Sequence, residues 1–237
     1  MQDALDLHRN WGQAFLKGGD KMAGVEIKDS EHVFIAGRTG SGKTVCARQY
    51  LSGFEHVVAL DTKGKLKWPE VDPKELTLVK RLRDLPDTDT PKIIYRPIWE
   101  ELEPEYYNEF FRWCYRRGNC QVWIDEVMGV CKNSFDIPEY YKAILTRGRE
   151  LNVTAWSLTQ RPSGIPQLII SEATHLFVYD LNLPQDRQKL VEVTGAEELW
   201  DRPNIAARKP YSFWYYNVNE ENARLARLVE RRERRGQ

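Results

Sequence analysis

Hydrophobic positions in this chain gather into short, nearly unbroken runs. Val33-Phe34-Ile35-Ala36, His56 to Asp61, Lys92-Ile93-Ile94-Tyr95, Gln121 to Glu126, Val153 to Thr159 and His175 to Tyr179 are rich in β-branched and aromatic residues. Such runs predict strands buried on both faces, as in a parallel sheet. Helical spacing fills the intervals: Val45 to Tyr50, Pro104 to the Gly118-Asn119 stop, Pro138 to Glu150, and Pro184 to Thr194 before Gly195. In the second of these the stripe Tyr106, Phe110, Trp113 and Cys114 reads as core packing and not as a base-stacking platform. Strand and helix alternate from Val33 to Tyr179, which predicts an α/β fold: one doubly wound, mostly parallel sheet flanked by helices.

The flanks are read less regularly. Leu5, Trp11, Phe15 and Leu16 suggest a peripheral helix over Met1 to Gly19, and Val25-Glu26-Ile27 alternates like an edge strand. Residues 64–91 hold four prolines among many charges, a loop-rich excursion with one short helix around Lys74 to Arg83. Tyr211 to Tyr216 is a final aromatic strand expected at an edge, and Asn222 to Arg235 a basic helical tail. The expected divisions are therefore 1–29, a core at 30–218, and a tail at 219–237.

Composition changes this picture little. The chain has 237 residues, enough for one substantial α/β domain. Lys+Arg and Asp+Glu both number 35, so net charge selects no partner. No apolar run approaches the ~20 residues that span a bilayer, and the N-terminus lacks a signal-peptide core, so a cytoplasmic location is expected. Cys46, Cys114, Cys120 and Cys131 form no C-x-x-C pair, and reduced thiols are expected in place of a zinc site.

Candidate chemistry begins directly after the first core strand. Gly37-Arg38-Thr39-Gly40-Ser41-Gly42-Lys43-Thr44 matches G-x-x-x-x-G-K-[ST] in full, between a strand and a helix that starts at Val45. Glycines let the backbone wrap an anion, and the loop amides are backed by the positive end of the helix. Residues Gly37 to Val45 are thus the candidate nucleotide-binding set, with Lys43 on the β- and γ-phosphates and Thr44 on Mg²⁺. Two strands end in aspartate, Asp61 and Asp125. Asp125 is preferred for Mg²⁺, because only it has a neighbouring carboxylate, Glu126, that can polarise an attacking water. Gln160, at the end of a strand, sits where ligands bind in such sheets and could sense the γ-phosphate or orient water.

Four blocks in order, Gly37 to Thr44, Leu60 to Gly64, Ile124 to Glu126, and Arg147-Gly148-Arg149 running to Thr159-Gln160-Arg161-Pro162, resemble the FtsK/HerA superfamily of DNA-pumping ATPases. The resemblance covers roughly residues 30–180. It implies ATP as the nucleotide, a ring that is usually hexameric, ATP held between subunits, and double-stranded DNA in the centre. It further implies that Gln160 is a sensor and that Arg149, with Arg147 as the alternative, reaches a neighbour's γ-phosphate. From that ATPase branch, and not from spacing, comes a core strand order of 5-1-4-3-2. The chain lacks the N-terminal barrel of HerA, the membrane segment of FtsK and a winged helix. In this it is similar to the genome-packaging ATPases of tailless, membrane-containing icosahedral viruses, which implies a capsid or membrane-vertex partner and a place in the host cytoplasm or at a virion vertex. A plasmid or chromosomal translocase, including a conjugation coupling ATPase, is the alternative. A small-molecule phosphotransferase is the rival from another class, and would rarely need Glu126.

Overall fold

The computed structural model describes residues 14–17, 22–203 and 212–228. In chain order its strands are β1 (Ala14–Lys17), β2 (Met22–Gly24), β3 (Val33–Ala36), β4 (Val57–Leu60), β5 (Leu76–Val79) and β6 (Lys92–Tyr95). They continue with β7 (Cys120–Ile124), β8 (Val153–Thr159), β9 (His175–Val178), β10 (Ser212–Asn217) and β11 (Arg224–Leu228). The α-helices are α1 (Lys43–Leu51), α2 (Pro104–Arg117), α3 (Glu139–Arg147), α4 (Gln167–Ser171) and α5 (Pro184–Thr194). All the strands join one sheet in the order β2-β1-β11-β10-β9-β3-β8-β7-β4-β6-β5. The stretch β9-β3-β8-β7-β4 is the expected 5-1-4-3-2, with β6 and β5 added outside β4.

From β9 to β5 every pairing is parallel, and the apolar runs are long because both faces are covered. Side chains alternate between the two faces. Phe34, Val58, Val122, Ala155 and Leu176 enter a core with Phe110 and Phe111 of α2, Tyr141 of α3 and Leu190 of α5. Val33, Ala59, Trp123, Trp156 and Phe177 enter the other core, with Cys46, Ala47 and Tyr50 of α1. The connection after β3 therefore covers one face and those after β7 and β8 cover the opposite one. This makes the β3–β8 seam the switch point where a crevice opens beyond the carboxyl ends. Along α2 the buried stripe is Tyr107, Phe110, Phe111 and Cys114, so the aromatics are core, while Tyr106 is exposed.

Several flanking expectations are corrected. Leu76–Val79 is a strand bordered by 3₁₀ turns, not part of a helix over Lys74 to Arg83, because it finds the open edge of β6. The edge strand expected at Val25 to Ile27 lies just before it, at Met22–Gly24. Strand β10 is interior, hydrogen-bonded antiparallel to both β9 and β11. Arg224–Leu228, expected as the start of a helical tail, turns back as β11, and Ala14–Lys17, expected as helix, pairs with it as β1. Leu225, Ala226 and Leu228 fit either period, and the unpaired backbone of β10 decided between them. The rest of the first expected helix, residues 1–13 and 18–19, and residues 229–235 of the second lie outside the described residues.

Two features at the amino end of the sheet yield tests. The turn between α3 and β8 brings Gly148 so close to the strand that a Cβ there would stand 2.3 Å from the Val153 carbonyl oxygen. Gly148→Ala should destabilise the fold by about 1–3 kcal/mol, read as a lower urea midpoint at unchanged slope. A variant as stable as the parent would show that the carbonyl yields freely.

His32, just before β3, is buried, and its Nδ1 accepts the Ala155 amide at 2.9 Å. Burial, helped by the charge of Arg149, pulls the imidazole down to about 4, against the Leu145 carbonyl. Its folded-state value lies below its ordinary one, so the fold favours the neutral ring. Stability is full above about pH 6.5 and falls towards pH 4, by up to about 1.4 kcal/mol per pH unit from this residue. His32→Asn keeps an acceptor for Ala155 without the charge, so urea unfolding between pH 7 and 4.5 should show a flatter decline than the parent. Equal slopes would remove His32 from the account.

Candidate nucleotide site

Three strand ends meet at the β3–β8 seam. β3 leads into the phosphate loop, where the Gly37 amide donates to the Thr159 carbonyl of β8 at 3.1 Å. A Cβ on Gly37 would stand 2.5 Å from Cβ of Tyr179, so the loop lies against β9 only as glycine. Gly42, at φ 105°, turns the chain into α1 and offers no side-chain cap. Among the described residues no protein acceptor takes the amides of Lys43, Thr44 and Val45. These donors, with the helix dipole behind them, are what an anion needs. Lys43 Nζ arches over the loop to the carbonyls of Gly37 (2.6 Å) and Arg38 (3.1 Å). Burial lowers its ammonium to about 8; Glu126 and Asp125 oppose that shift, and Lys63 adds to it.

β7 delivers the carboxylates. Its last residue, Ile124, stands opposite Ser157 of β8 and Leu60 of β4, so the two residues that follow emerge beside the loop. Thr44 Oγ1 donates to Asp125 Oδ1 at 3.1 Å, two hard oxygen ligands converging at the phosphate loop. Burial pushes the Asp125 carboxyl up, which the Thr44 hydrogen bond and Lys63 counter. This donor set fits Mg²⁺, which favours few protein oxygens together with substrate phosphates. Asp61 is turned elsewhere. Buried, it accepts the amides of Lys65 (3.2 Å) and Leu66 (2.9 Å) and pairs with Arg96 at 2.9 Å, pinning the turn after β4.

Glu126 is buried and fully engaged. Its Oε2 accepts from Lys63 Nζ (2.9 Å) and Gln160 Nε2 (3.1 Å), and its Oε1 from the Gln160 amide at 3.4 Å. Thr39 Oγ1 donates to Gln160 Oε1 at 2.7 Å, so an unbroken chain of hydrogen bonds runs from phosphate loop to glutamate. The sequence reading missed Lys63, although it lies inside the Leu60 to Gly64 block. It also missed Asp180, whose carboxylate holds both Arg38 (2.7 Å) and Arg202. These two arginines hold the Asp180 carboxyl below the usual carboxylate range, Arg202 most strongly.

Two candidates stand apart. Arg147 is exposed, and Arg149 Nη2 reaches the Glu172 carbonyl (3.3 Å) and Thr174 Oγ1 (3.4 Å), just before β9 begins. Both precede β8, whereas the loop follows β3, so the seven residues of β8 put roughly 20 Å between them. Neither arginine serves its own chain's loop in this arrangement. Arg149 lines an open polar pocket of about 350 Å³ with Lys28, Glu31 and Glu172.

Removing Lys43 and neutralising Glu126 should fail differently. Lys43→Ala takes the point cation from the phosphates and should abolish nucleotide binding. Glu126→Gln keeps a polar group of the same shape that cannot accept a proton, so it should bind nucleotide and not hydrolyse it. Binding by calorimetry and phosphate release measure the two. Turnover at the parent rate in Glu126→Gln would remove Glu126 from the chemistry.

No family model matches the chain. It is 26% identical over 208 residues to the DNA packaging ATPase P9 of Enterobacteria phage PRD1, spanning 82% of this chain and 85% of that protein. It is also 26% identical over 219 residues to the DNA translocase FtsK of Leptospira interrogans, spanning 80% of this chain and 23% of FtsK. Its fold is similar to the genome packaging NTPase B204 of Sulfolobus turreted icosahedral virus 2 in complex with sulfate. The TM-score is 0.70 at 14% identity, over 87% of this chain and all of B204. B204 has also been solved with AMPPCP and ATP-gammaS. Phosphate loop, paired carboxylates, strand order and relatives agree: the chain has the fold of a P-loop ATPase and is similar to ATPases of the FtsK and genome-packaging type.

Proposed function

We propose that this chain is an ATP-driven double-stranded DNA translocase that packages a viral genome. The observation that carries this is the junction of Thr44 with Asp125 and of Gln160 with Glu126, a constellation built to hydrolyse a triphosphate. A phosphotransferase would need an acceptor pocket and would rarely need Glu126. Similarity to a DNA packaging ATPase running over 85% of that protein supports packaging. A plasmid or chromosomal translocase is the second reading, and the FtsK match is what favours it.

In this reading Lys43 and the amides of Lys43 to Val45 bind the phosphates, and Thr44 with Asp125 would hold Mg²⁺, which neutralises phosphate charge when bound. Glu126 takes the proton of the attacking water, and Gln160 orients that water or registers the γ-phosphate. Arg149, at the opposite end of the sheet from its own loop, completes a neighbour's site in a hexameric ring; Arg147 is the alternative. Double-stranded DNA passes through the centre, and a capsid or membrane-vertex protein anchors the ring in the host cytoplasm or at a virion vertex. No helix among the described residues is long and apolar enough to cross a membrane.

Two measurements test this. Phosphate release should rise when linear duplex DNA is added, whereas a phosphotransferase would respond to its acceptor instead. Arg149→Ala should lower turnover by about 10³–10⁵ if the guanidinium meets the developing charge. Mixed with Glu126→Gln subunits, it should regain activity, since some interfaces then combine an intact glutamate with an intact arginine. No recovery on mixing would place the arginine's effect within its own chain.

A further inference from the structure

Lys63 stands at the active carboxylate with no part in the mechanism so far. Its backbone is fixed: the turn after β4 is pinned by Asp61, and the Gly64 amide closes it on the Asp61 carbonyl at 3.3 Å. Its side chain is less constrained, 41% exposed, while Glu126, its partner at 2.9 Å, is 8% exposed. A solvated, flexible cation is thus paired with a buried base. While that pair holds, Oε2 of Glu126 accepts from both Lys63 and Gln160, so the positions where a water would donate to it are taken. Lys63 is also felt by Lys43 and by Asp125, so its ammonium lies within electrostatic reach of the phosphate-loop lysine and the metal-side carboxylate.

We propose that Lys63 is a γ-phosphate-responsive positioning residue: it holds Glu126 until the terminal phosphate of a nucleoside triphosphate draws its ammonium away, which frees the carboxylate for water. The inference rests on the ATPase reading above. The γ-phosphate is the stronger partner, since it offers more negative charge and several acceptor oxygens to one ammonium. Once released, Glu126 takes a proton from water as the water oxygen bonds to the γ-phosphorus and the bond from that phosphorus to the β-phosphate oxygen breaks. A diphosphate has no such group and leaves the pair closed. Gln160, bridged to Thr39 of the loop, keeps the glutamate in place when Lys63 departs. The competing account is that Lys63 only neutralises a buried charge, in which case nucleotide identity should not matter to it.

The test uses the full chain with Mg²⁺, measuring binding of AMPPCP and of ADP by calorimetry in the parent, Lys63→Met and Lys63→Gln. A lost charge-assisted bond to the γ-phosphate should weaken AMPPCP by about 10- to 100-fold and leave ADP nearly unchanged. Lys63→Arg, which keeps the charge, should retain most of the preference. An unchanged AMPPCP-to-ADP ratio in both neutral variants, with lowered thermal stability, would overturn the inference while ADP binding still upheld the nucleotide site. A parent that bound neither nucleotide would instead overturn the ATPase reading, and this inference with it.

Discussion

The parallel pairing of β3 with β8 is the constraint on which the site depends. It places Ala36 opposite Thr159, so the phosphate loop and Gln160 leave the sheet at the same level. β7 pairs on the far side of β8, and its two carboxylates emerge within reach of both. A slip by one residue would turn every side chain of a strand to the other face, and each face here is filled by a different helix set. The two cores therefore hold the register, and the register holds the chemistry.

Charge buried at this seam is handled by pairing and not by exposure. Lys43 rests on loop carbonyls, Asp125 on the Thr44 hydroxyl, and Glu126 on Lys63 and Gln160. An isolated buried ion would cost far more than any of these contacts returns, so the set stands or falls together. In the proposed reading the two lysines of this set are also the donors for which a bound phosphate would compete. The same arrangement that satisfies the fold is thereby sensitive to the ligand.

The opposite end of the sheet is organised around Arg149, His32 and the Gly148 turn. Among the described residues Arg149 is tied to a carbonyl and a threonine hydroxyl at 3.3–3.4 Å, weak bonds for a guanidinium. A candidate site at one end of the strands and a loosely held arginine at the other is the arrangement that the proposed head-to-tail ring requires.

Much of this was legible in the residues alone. Unbroken apolar runs separated by helical spacing specify a covered parallel sheet, because a half-exposed sheet would alternate. The phosphate loop is a contiguous motif whose glycines, lysine and threonine act through backbone that folds locally, and Asp125-Glu126 follows a strand that could only be buried. What the sequence left open concerns partners distant along the chain. Leu225, Ala226 and Leu228 fit strand or helix, and the free edge of β10 settled them as strand. Lys63 meets Glu126 across 63 residues, and Gln160 meets Thr39 across 121, only because β4, β7, β8 and β3 lie side by side. Spacing along a chain encodes the period of an element; which element lies beside it is decided by packing, and the pairing of buried charges follows from that.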